Sequence, residues 1–297
     1  MRLIFLGCGY LGSNLCNLLR NTTDVSIWGL PSPYAEHVER LEIVDVFATE
    51  QLAKMDVRDA IIVDTVAPIA SVDRAEREEE ALSNLAASYR KMLRVLRNGG
   101  AGKLIFFSSG GTVYGSHRQA VDEETPLRPQ TLYARSKVLL EQIVAESGLP
   151  YVILRLANPY GGYQLNGKKQ GVIPILLQKI YTNEVFTLFT TPESVRDYVY
   201  ITDLAQALRR ILDAALDNTV LNVGSGCGKS LAEVIACVET ETHKKLRIRQ
   251  MESAVPQVEY NVLSIQKLQR LTGYAPTISL TEGIRREAQR IRKELAL

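Results

Sequence analysis

Cysteine and histidine are scarce in this chain. Four cysteines (Cys8, Cys16, Cys227, Cys237) and three histidines are spread over 297 residues. No two cysteines stand in C-x-x-C spacing and none pairs with a histidine. The set reads as structural thiols, not as a metal site or a disulfide framework. Excess charge is lacking as well: 35 Lys and Arg against 33 Asp and Glu leave a net charge of +2, with no electrostatic footprint for nucleic acid. The basic cluster Arg285, Arg286, Arg290, Arg292 and Lys293 has glutamates interleaved at helical spacing and reads as a solvated face. No apolar run reaches the ~18 residues of a membrane span. The opening RLIFLG carries no signal-peptide cleavage pattern, so a cytoplasmic location is expected. Internal repeats, low-complexity stretches and separating linkers are also missing.

What is present is an ordinary globular composition, 46% hydrophobic and 23% charged, at a length suited to one large α/β domain or a nucleotide-binding domain with a smaller lobe. Strand-like runs at 2–7, 24–30, 41–46, 60–67, 103–109 and 150–158 alternate with amphipathic segments. The helical ones span 13–21, about 73–97 and 132–147. Near-continuous apolar strands between helices predict a parallel sheet covered on both faces. After Asn158 the rhythm changes to PYGGYQLNGKKQG, a helix over about 172–183, the strand VFTLF, and a strand turning into a helix in VRDYVYITDLAQALRRILDAA. LNVGSG, KLRIRQ and two further helical stretches complete a smaller mixed lobe.

GCGYLG (Gly7 to Gly12) is a G-x-G-x-x-G directly after the first strand and at the opening of a helix. Its glycines permit a tight turn and close approach of a pyrophosphate to the helix N-terminus. An acid is expected at the end of the second strand to hold the adenosine ribose, and Gly29 stands there. NAD and NADP both stay open on this count: no arginine follows before Arg40, and Ser32 is the remaining polar candidate. Tyr133 and Lys137, in YARSK, are four apart on a predicted helix and so share a face. A lysine beside a tyrosine favours the phenolate and makes a usable base. GSGCGKS (Gly224 to Ser230) has Val223 where a phosphate loop needs glycine, and reads as an ordinary loop.

These segments together resemble the extended short-chain dehydrogenase/reductases of the NAD-dependent sugar epimerase/dehydratase family, with UDP-glucose (galactose) 4-epimerases as the nearest type. The matching segments are GCGYLG, FFSSGGTVYG, DEETPLRPQTLYARSK, VILRLANPYG, KQGVIP, SVRDYVYITDLAQAL, LNVGSG and NVLSIQKLQRLTGYAPTISLTEGI, in order. The resemblance implies a Rossmann-type doubly wound parallel sheet over 1–158, rejoined by a segment at about 197–222. It implies a mixed α/β substrate lobe over 159–297. It makes Tyr133 the base and Lys137 its partner on the nicotinamide ribose. Around the cofactor, beside Gly7, Gly9, Tyr10, Leu11 and Gly12, it places Asp45 and Val46 (at the adenine), Ala67, Asn84 and Ser108. Asn158, Val172 and Arg196 become substrate residues, Arg196 suiting phosphate because a guanidinium binds it bidentately. It also implies a homodimer through the helix after Asp73 and the helix of Tyr133.

Two positions depart from the family pattern. The catalytic Ser or Thr falls on Gly110, which leaves Ser109, if the strand end bends, or Thr112. The arginine expected before the proline of the second lobe falls on Met251, with Arg249 nearby. The implied function is an NAD-dependent nucleotide-sugar 4-epimerase, its substrate UDP-linked. Hydride passes from sugar C4 to the nicotinamide and back while Tyr133 takes the hydroxyl proton. A 4,6-dehydratase would need an Asp-Glu pair where Gly111 and Thr112 stand. An NADPH-dependent reductase of a 4-keto sugar is the rival enzyme, since Gly29 removes the NAD-selecting acid. A non-catalytic NAD(P) sensor is the reading from another class, and retention of both Tyr133 and Lys137 counts against it.

Overall fold

The computed structural model describes residues 1–21, 23–67, 77–164, 171–252 and 258–296. Seven parallel strands form the main sheet: β1 (Arg2–Leu6), β2 (Asp24–Gly29), β3 (Leu41–Ile43), β4 (Ile61–Asp64), β5 (Lys103–Ser108), β6 (Tyr151–Leu156) and β10 (Thr219–Val223). Their order is β10-β6-β5-β4-β1-β2-β3, the doubly wound arrangement. Side-chain alternation along these apolar strands splits the core into two layers. Leu3, Phe5, Ile105, Phe107, Val152 and Leu154 lie in one, and Ile4, Leu6, Leu104, Phe106 and Ile153 in the other. Burying each such side chain contributes roughly 1.5–3 kcal/mol, which explains why nearly unbroken apolar runs build this sheet.

The covering helices are α1 (Tyr10–Leu19), α2 (Thr49–Leu52), α3 (Glu78–Asn98), α4 (Gly110–Val113), α5 (Leu132–Ala145) and α7 (Ile201–Asp213), with α6 (Val172–Tyr181) opening the second lobe. The expected start of α3 near Asp73 lies outside the described residues. Thr131 caps α5, its hydroxyl accepting the Ala134 N–H at 3.1 Å, which fixes Tyr133 in the first helical turn. Arg90, Arg94 and Arg97 of α3 and Glu146 after α5 line a shallow depression between those helices, so this face is strongly charged.

The second lobe contains β7 (Asn158–Tyr160), β8 (Val185–Leu188), β9 (Val195–Tyr200), β11 (Gly228–Ser230), β12 (Arg247–Gln250) and β13 (Tyr260–Asn261). Helices α8 (Leu231–Thr242), α9 (Gln266–Thr272) and α10 (Leu280–Glu294) accompany them. Strand β9 pairs with β7, β11 and β13, not with the main sheet. The chain therefore returns to the main sheet at α7 and β10. The basic cluster on α10 is neutralised locally: Arg285, Arg286 and Arg290 pair with Glu241, Glu282, Glu287 and Glu294. No helix of the structure is long and apolar enough to cross a membrane, among the described residues.

Candidate active site

The strand order reverses between β1 and β4, so a crevice opens at the carboxyl ends of these two strands. GCGYLG turns through it. Gly7 has φ +97°, a conformation open to glycine at little cost. Gly12 packs the start of α1 onto the turn: a Cβ there would stand 2.0 Å from the Gly7 carbonyl oxygen and 2.8 Å from Thr65 Oγ1. At Gly9 a Cβ would meet nothing within 4 Å. The protein's own packing does not require glycine at position 9, but a pyrophosphate laid against the N-terminus of α1 would, so the loop fits a dinucleotide.

Gly29 ends β2, and a Cβ there would lie 3.0 Å from the Cys8 amide nitrogen. The backbone thus packs where the ribose-binding acid was expected. Ser32 is not free for a 2′-phosphate: its hydroxyl donates to the Cys8 carbonyl and accepts the Tyr34 N–H at 3.2 Å. Arg40 pairs with Asp24 at 3.0 Å, at the opposite end of β2. Residues 30–38 hold no Lys or Arg, so this loop offers no permanent cation to a 2′-phosphate.

The other cofactor expectations divide. Asp45 caps the Phe47 N–H at 3.0 Å. The Val46 side chain is buried in the core, which leaves its main chain as the part able to meet a base. Leu11 is half-buried, Ala67 is exposed at the crevice end of β4, and Asn84 is exposed on α3. Tyr10 is turned toward the second lobe, its hydroxyl donating to Gly161 O at 2.8 Å. The Ser108 side chain is committed elsewhere. It faces inward at 4% exposure, and its hydroxyl donates to Glu141 at 2.5 Å. Glu141 also forms a buried pair with Arg155 at 2.8 Å. That network continues through Tyr114 to Asn222 at 2.9 and 2.7 Å.

Strand β5 stops at Ser108, and the chain bends into the single turn of α4. Gly110 begins that turn against a wall: a Cβ would lie 2.6 Å from Leu263 Cδ1 and 2.8 Å from the Arg155 carbonyl oxygen. No hydroxyl-bearing side chain fits there. The bend instead brings Ser109 to Tyr133, and Thr112 Oγ1 donates to Ser109 Oγ at 2.9 Å. Burial pushes the Tyr133 phenol up, and its hydrogen bond with Ser109 pulls it down. Lys137 does not touch the phenol. Its Nζ is 6.0 Å from the Tyr133 ring centre and donates to Phe107 O at 2.9 Å and Val66 O at 3.4 Å. Burial lowers the Lys137 pKa to about 8, with Asp64 and Glu141 opposing that fall.

Asn158, Val172 and Arg196 line one cavity of about 260 Å³, together with Thr190, Ser194 and Tyr198. Thr190 lies outside every matching segment, whereas Ser194 and Tyr198 belong to SVRDYVYITDLAQAL; the stretch from β8 through β9 brings all three in. The turn of α4 abuts the cavity, since a side chain at Gly111 would meet the Asn158 carboxamide oxygen at 3.6 Å. Arg196 Nη1 donates to Val195 O at 2.9 Å, and Nη2 to Val258 O. Among the described residues no carboxylate pairs with it. Asp197 accepts Ser225, Gly226 and Leu263 N–H groups at 2.8, 3.1 and 3.4 Å, and Asp203 holds Thr277 and Ile278. The GSG of GSGCGKS therefore cradles an internal carboxylate instead of a phosphate. Arg249 is exposed on β12, and Met251 is an exposed apolar side chain beside Phe189 and Thr190 in a neighbouring hollow.

The sequence pattern of the NAD dependent epimerase/dehydratase family matches residues 5–224. Over 219 residues the chain is 34% identical to dTDP-4-dehydro-6-deoxyglucose reductase of Escherichia coli, covering 72% of this chain and 69% of that protein. It is 29% identical over 300 residues to a putative UDP-glucose 4-epimerase of Methanocaldococcus jannaschii, covering 96% of each. The crystal structure of UDP-glucose 4-epimerase from Thermus thermophilus in complex with NAD superposes with a TM-score of 0.86 at 27% identity, covering 98% of this chain and 99% of that one. With its dinucleotide loop, its Tyr-Lys helix and this match along most of its length, the chain belongs to the NAD-dependent epimerase/dehydratase family.

Proposed function

We propose that this protein is an NAD-dependent epimerase acting at C4 of a UDP-linked sugar. The observation that carries the reading is one arrangement. The Ser109–Tyr133 pair stands beside a cavity whose guanidinium, Arg196, has no carboxylate partner among the described residues. A cation left without an internal anion in a half-buried cleft suits a diphosphate. Exposed Phe189 and Met251, in the hollow that shares Thr190 with the cavity, supply an apolar surface on which a nucleobase can lie.

When bound, the dinucleotide supplies reversible hydride acceptance. The residues of the chain do the rest. Tyr133 takes the C4 hydroxyl proton and returns it, Ser109 orients the phenol, and Thr112 orients Ser109. Lys137 supplies positive charge from the floor of the crevice. Gly7, Gly9 and Gly12 shape the pyrophosphate seat, and the lack of Lys or Arg in the loop after β2 (residues 30–38) favours NAD over NADP.

Arg196→Ala is expected to raise KM for the nucleotide sugar about 10- to 100-fold, the range of one to two charge-assisted hydrogen bonds, with a smaller change in kcat. Saturation kinetics with UDP-glucose measure both.

A second reading keeps the same site but makes it an NADPH-dependent reductase of a 4-keto nucleotide sugar. Two observations favour it: Gly29 removes the ribose-binding acid, and the match to the Escherichia coli reductase is the higher in identity of the two proteins compared by sequence. Denaturing the purified protein and analysing the supernatant separates the two. Retained NAD with C4 exchange and no net cofactor turnover is the epimerase result. An empty site with stoichiometric loss of reduced-cofactor absorbance on adding a 4-keto sugar overturns it.

A further inference from the structure

Strand β4 ends on a carboxylate. Asp64 follows the apolar run IIV and is 0% exposed. A carboxylate at that depth costs free energy unless it is hydrogen-bonded and matched by charge. Two donors reach it: the Tyr89 hydroxyl from α3 at Oδ2, and the Val66 N–H at Oδ1, 2.9 Å away. Val66 in turn presents its carbonyl to Lys137 Nζ at 3.4 Å. One residue is thus fixed at its N–H by Asp64 and receives the lysine at its carbonyl.

The charges around this point are few. Asp64 and Glu141 both act on Lys137, from β4 and α5. Glu141 is already matched by the buried guanidinium of Arg155 from β6, at 2.8 Å, and takes the Ser108 hydroxyl as well. Asp64 has no arginine or lysine in salt-bridge contact among the described residues; burial pushes its carboxyl up, and the Tyr89 and Val66 hydrogen bonds and the field of Lys137 oppose that rise. From α3 the group facing it is the neutral Tyr89 phenol, which burial holds well above its ordinary pKa. Asp64 is therefore the uncommitted anion of this layer, and Lys137 the uncommitted cation.

We propose that Asp64 is a positioning residue of the site: through Val66, and by its charge, it keeps Lys137 seated at the crevice floor as an ammonium. The assignment rests on Lys137 belonging to the hydride-transfer site proposed above. A bland alternative has the same contacts, with Asp64 merely satisfying the Tyr89 hydroxyl and bracing α3 against the sheet. The two differ in what they do to Lys137. A brace leaves its proton affinity alone, whereas a counter-charge raises it.

Competitive labelling of the cofactor-free protein with acetic anhydride across pH, read by mass spectrometry on the Lys137 peptide, distinguishes them without sugar or turnover. Asp64→Asn keeps the volume and an oxygen for the Val66 N–H but removes the charge. Its labelling midpoint is expected to fall by about one pH unit or more, the usual effect of losing a nearby opposite charge. Tyr89→Phe keeps the carboxylate and should leave the midpoint near that of the native protein. In turnover, Asp64→Asn should lose several-fold in kcat at pH 8 with KM for the nucleotide sugar within about twofold. A native midpoint in folded Asp64→Asn overturns the proposal, whatever happens to activity. Should that variant not fold, the Lys137→Met background decides. Asp64→Asn in the Lys137→Met background is expected to be at least as stable as Lys137→Met alone, because the anion has then lost its cation. A loss of stability on adding Asp64→Asn to Lys137→Met supports the brace and overturns the proposal. Failure of the epimerase reading would leave these midpoints unchanged, so the two failures are separable.

Discussion

Tyr133→Phe is expected to lower turnover by about 10²–10⁴-fold, the range of a lost general acid–base group, while cofactor retention stays near native. The phenol is the group that ties the Ser109 end of the α4 turn to α5, and in the proposed mechanism its oxygen is the acceptor for the sugar hydroxyl proton. The ring remains, half-buried in the first turn of a helix capped by Thr131, so folding should be little affected. Measured kcat with UDP-glucose and NAD content after denaturation provide the two readouts. Unchanged turnover would sink the assignment of Tyr133 as base. The pH dependence has a definite sign on its alkaline side. Lys137 is charged below its lowered pKa of about 8 and loses its proton as pH rises through that value. A rate that depends on the ammonium therefore falls above about pH 8. Tyr133 works in the other direction, gaining base strength as pH rises, so the profile is an arch whose alkaline limb belongs to the lysine.

Much of this architecture is legible in the residues because the main sheet is buried on both faces. Strands such as KLIFFS and YVILRL must then be almost wholly apolar, and few other environments demand that. The extent of each strand is harder to read. LEIVDV supports only the three residues Leu41–Ile43 of β3, since pairing with β2 ends where Gly29 turns toward the phosphate loop. The active-site motifs were legible for a similar reason: the glycine spacing and the Tyr-x-x-x-Lys spacing are set by local geometry. What sequence could not settle was any question about the meeting of distant segments. Whether Ser109 or Thr112 takes the place of Gly110 depends on Leu263 and the Arg155 carbonyl closing that position, and both lie more than 40 residues further along the chain. Ser108 and Ser109 look alike in the sequence, and the strand's alternation sends the first of them to Glu141. A signal did exist there. Arg155 in an apolar strand and Glu141 on the apolar side of a helix are charges that cannot be buried unpaired, and each pointed to the other. Asp64 gave a fainter sign of the same kind, an acid ending the run IIV.

The two glycines Gly9 and Gly12 should part company when each is replaced by alanine, and the contrast tests the cofactor site without any assumption about the sugar. At Gly12 the new methyl would sit 2.0 Å from a main-chain oxygen of the same loop. No side-chain rotation relieves a clash with backbone, so either α1 or the Gly7 turn must move. The cost is about 3 kcal/mol or more, at or beyond the upper range for overpacking, and it should appear as a lowered thermal midpoint in the cofactor-free protein. At Gly9 the methyl would meet nothing within 4 Å, and φ there is −101°, which alanine adopts readily. Stability of cofactor-free Gly9→Ala should therefore match the native protein. Affinity for NAD should not. A methyl standing in the space above the α1 N-terminus holds a pyrophosphate away from the free N–H groups, and losing one charge-assisted hydrogen bond costs about 1.5–3 kcal/mol, or about 10- to 100-fold in Kd by titration. If Gly9→Ala binds NAD as the native protein does, the pyrophosphate does not lie on this loop. If Gly12→Ala is as stable as the native protein, the close approach of the helix to the Gly7 turn is not what fixes glycine at position 12.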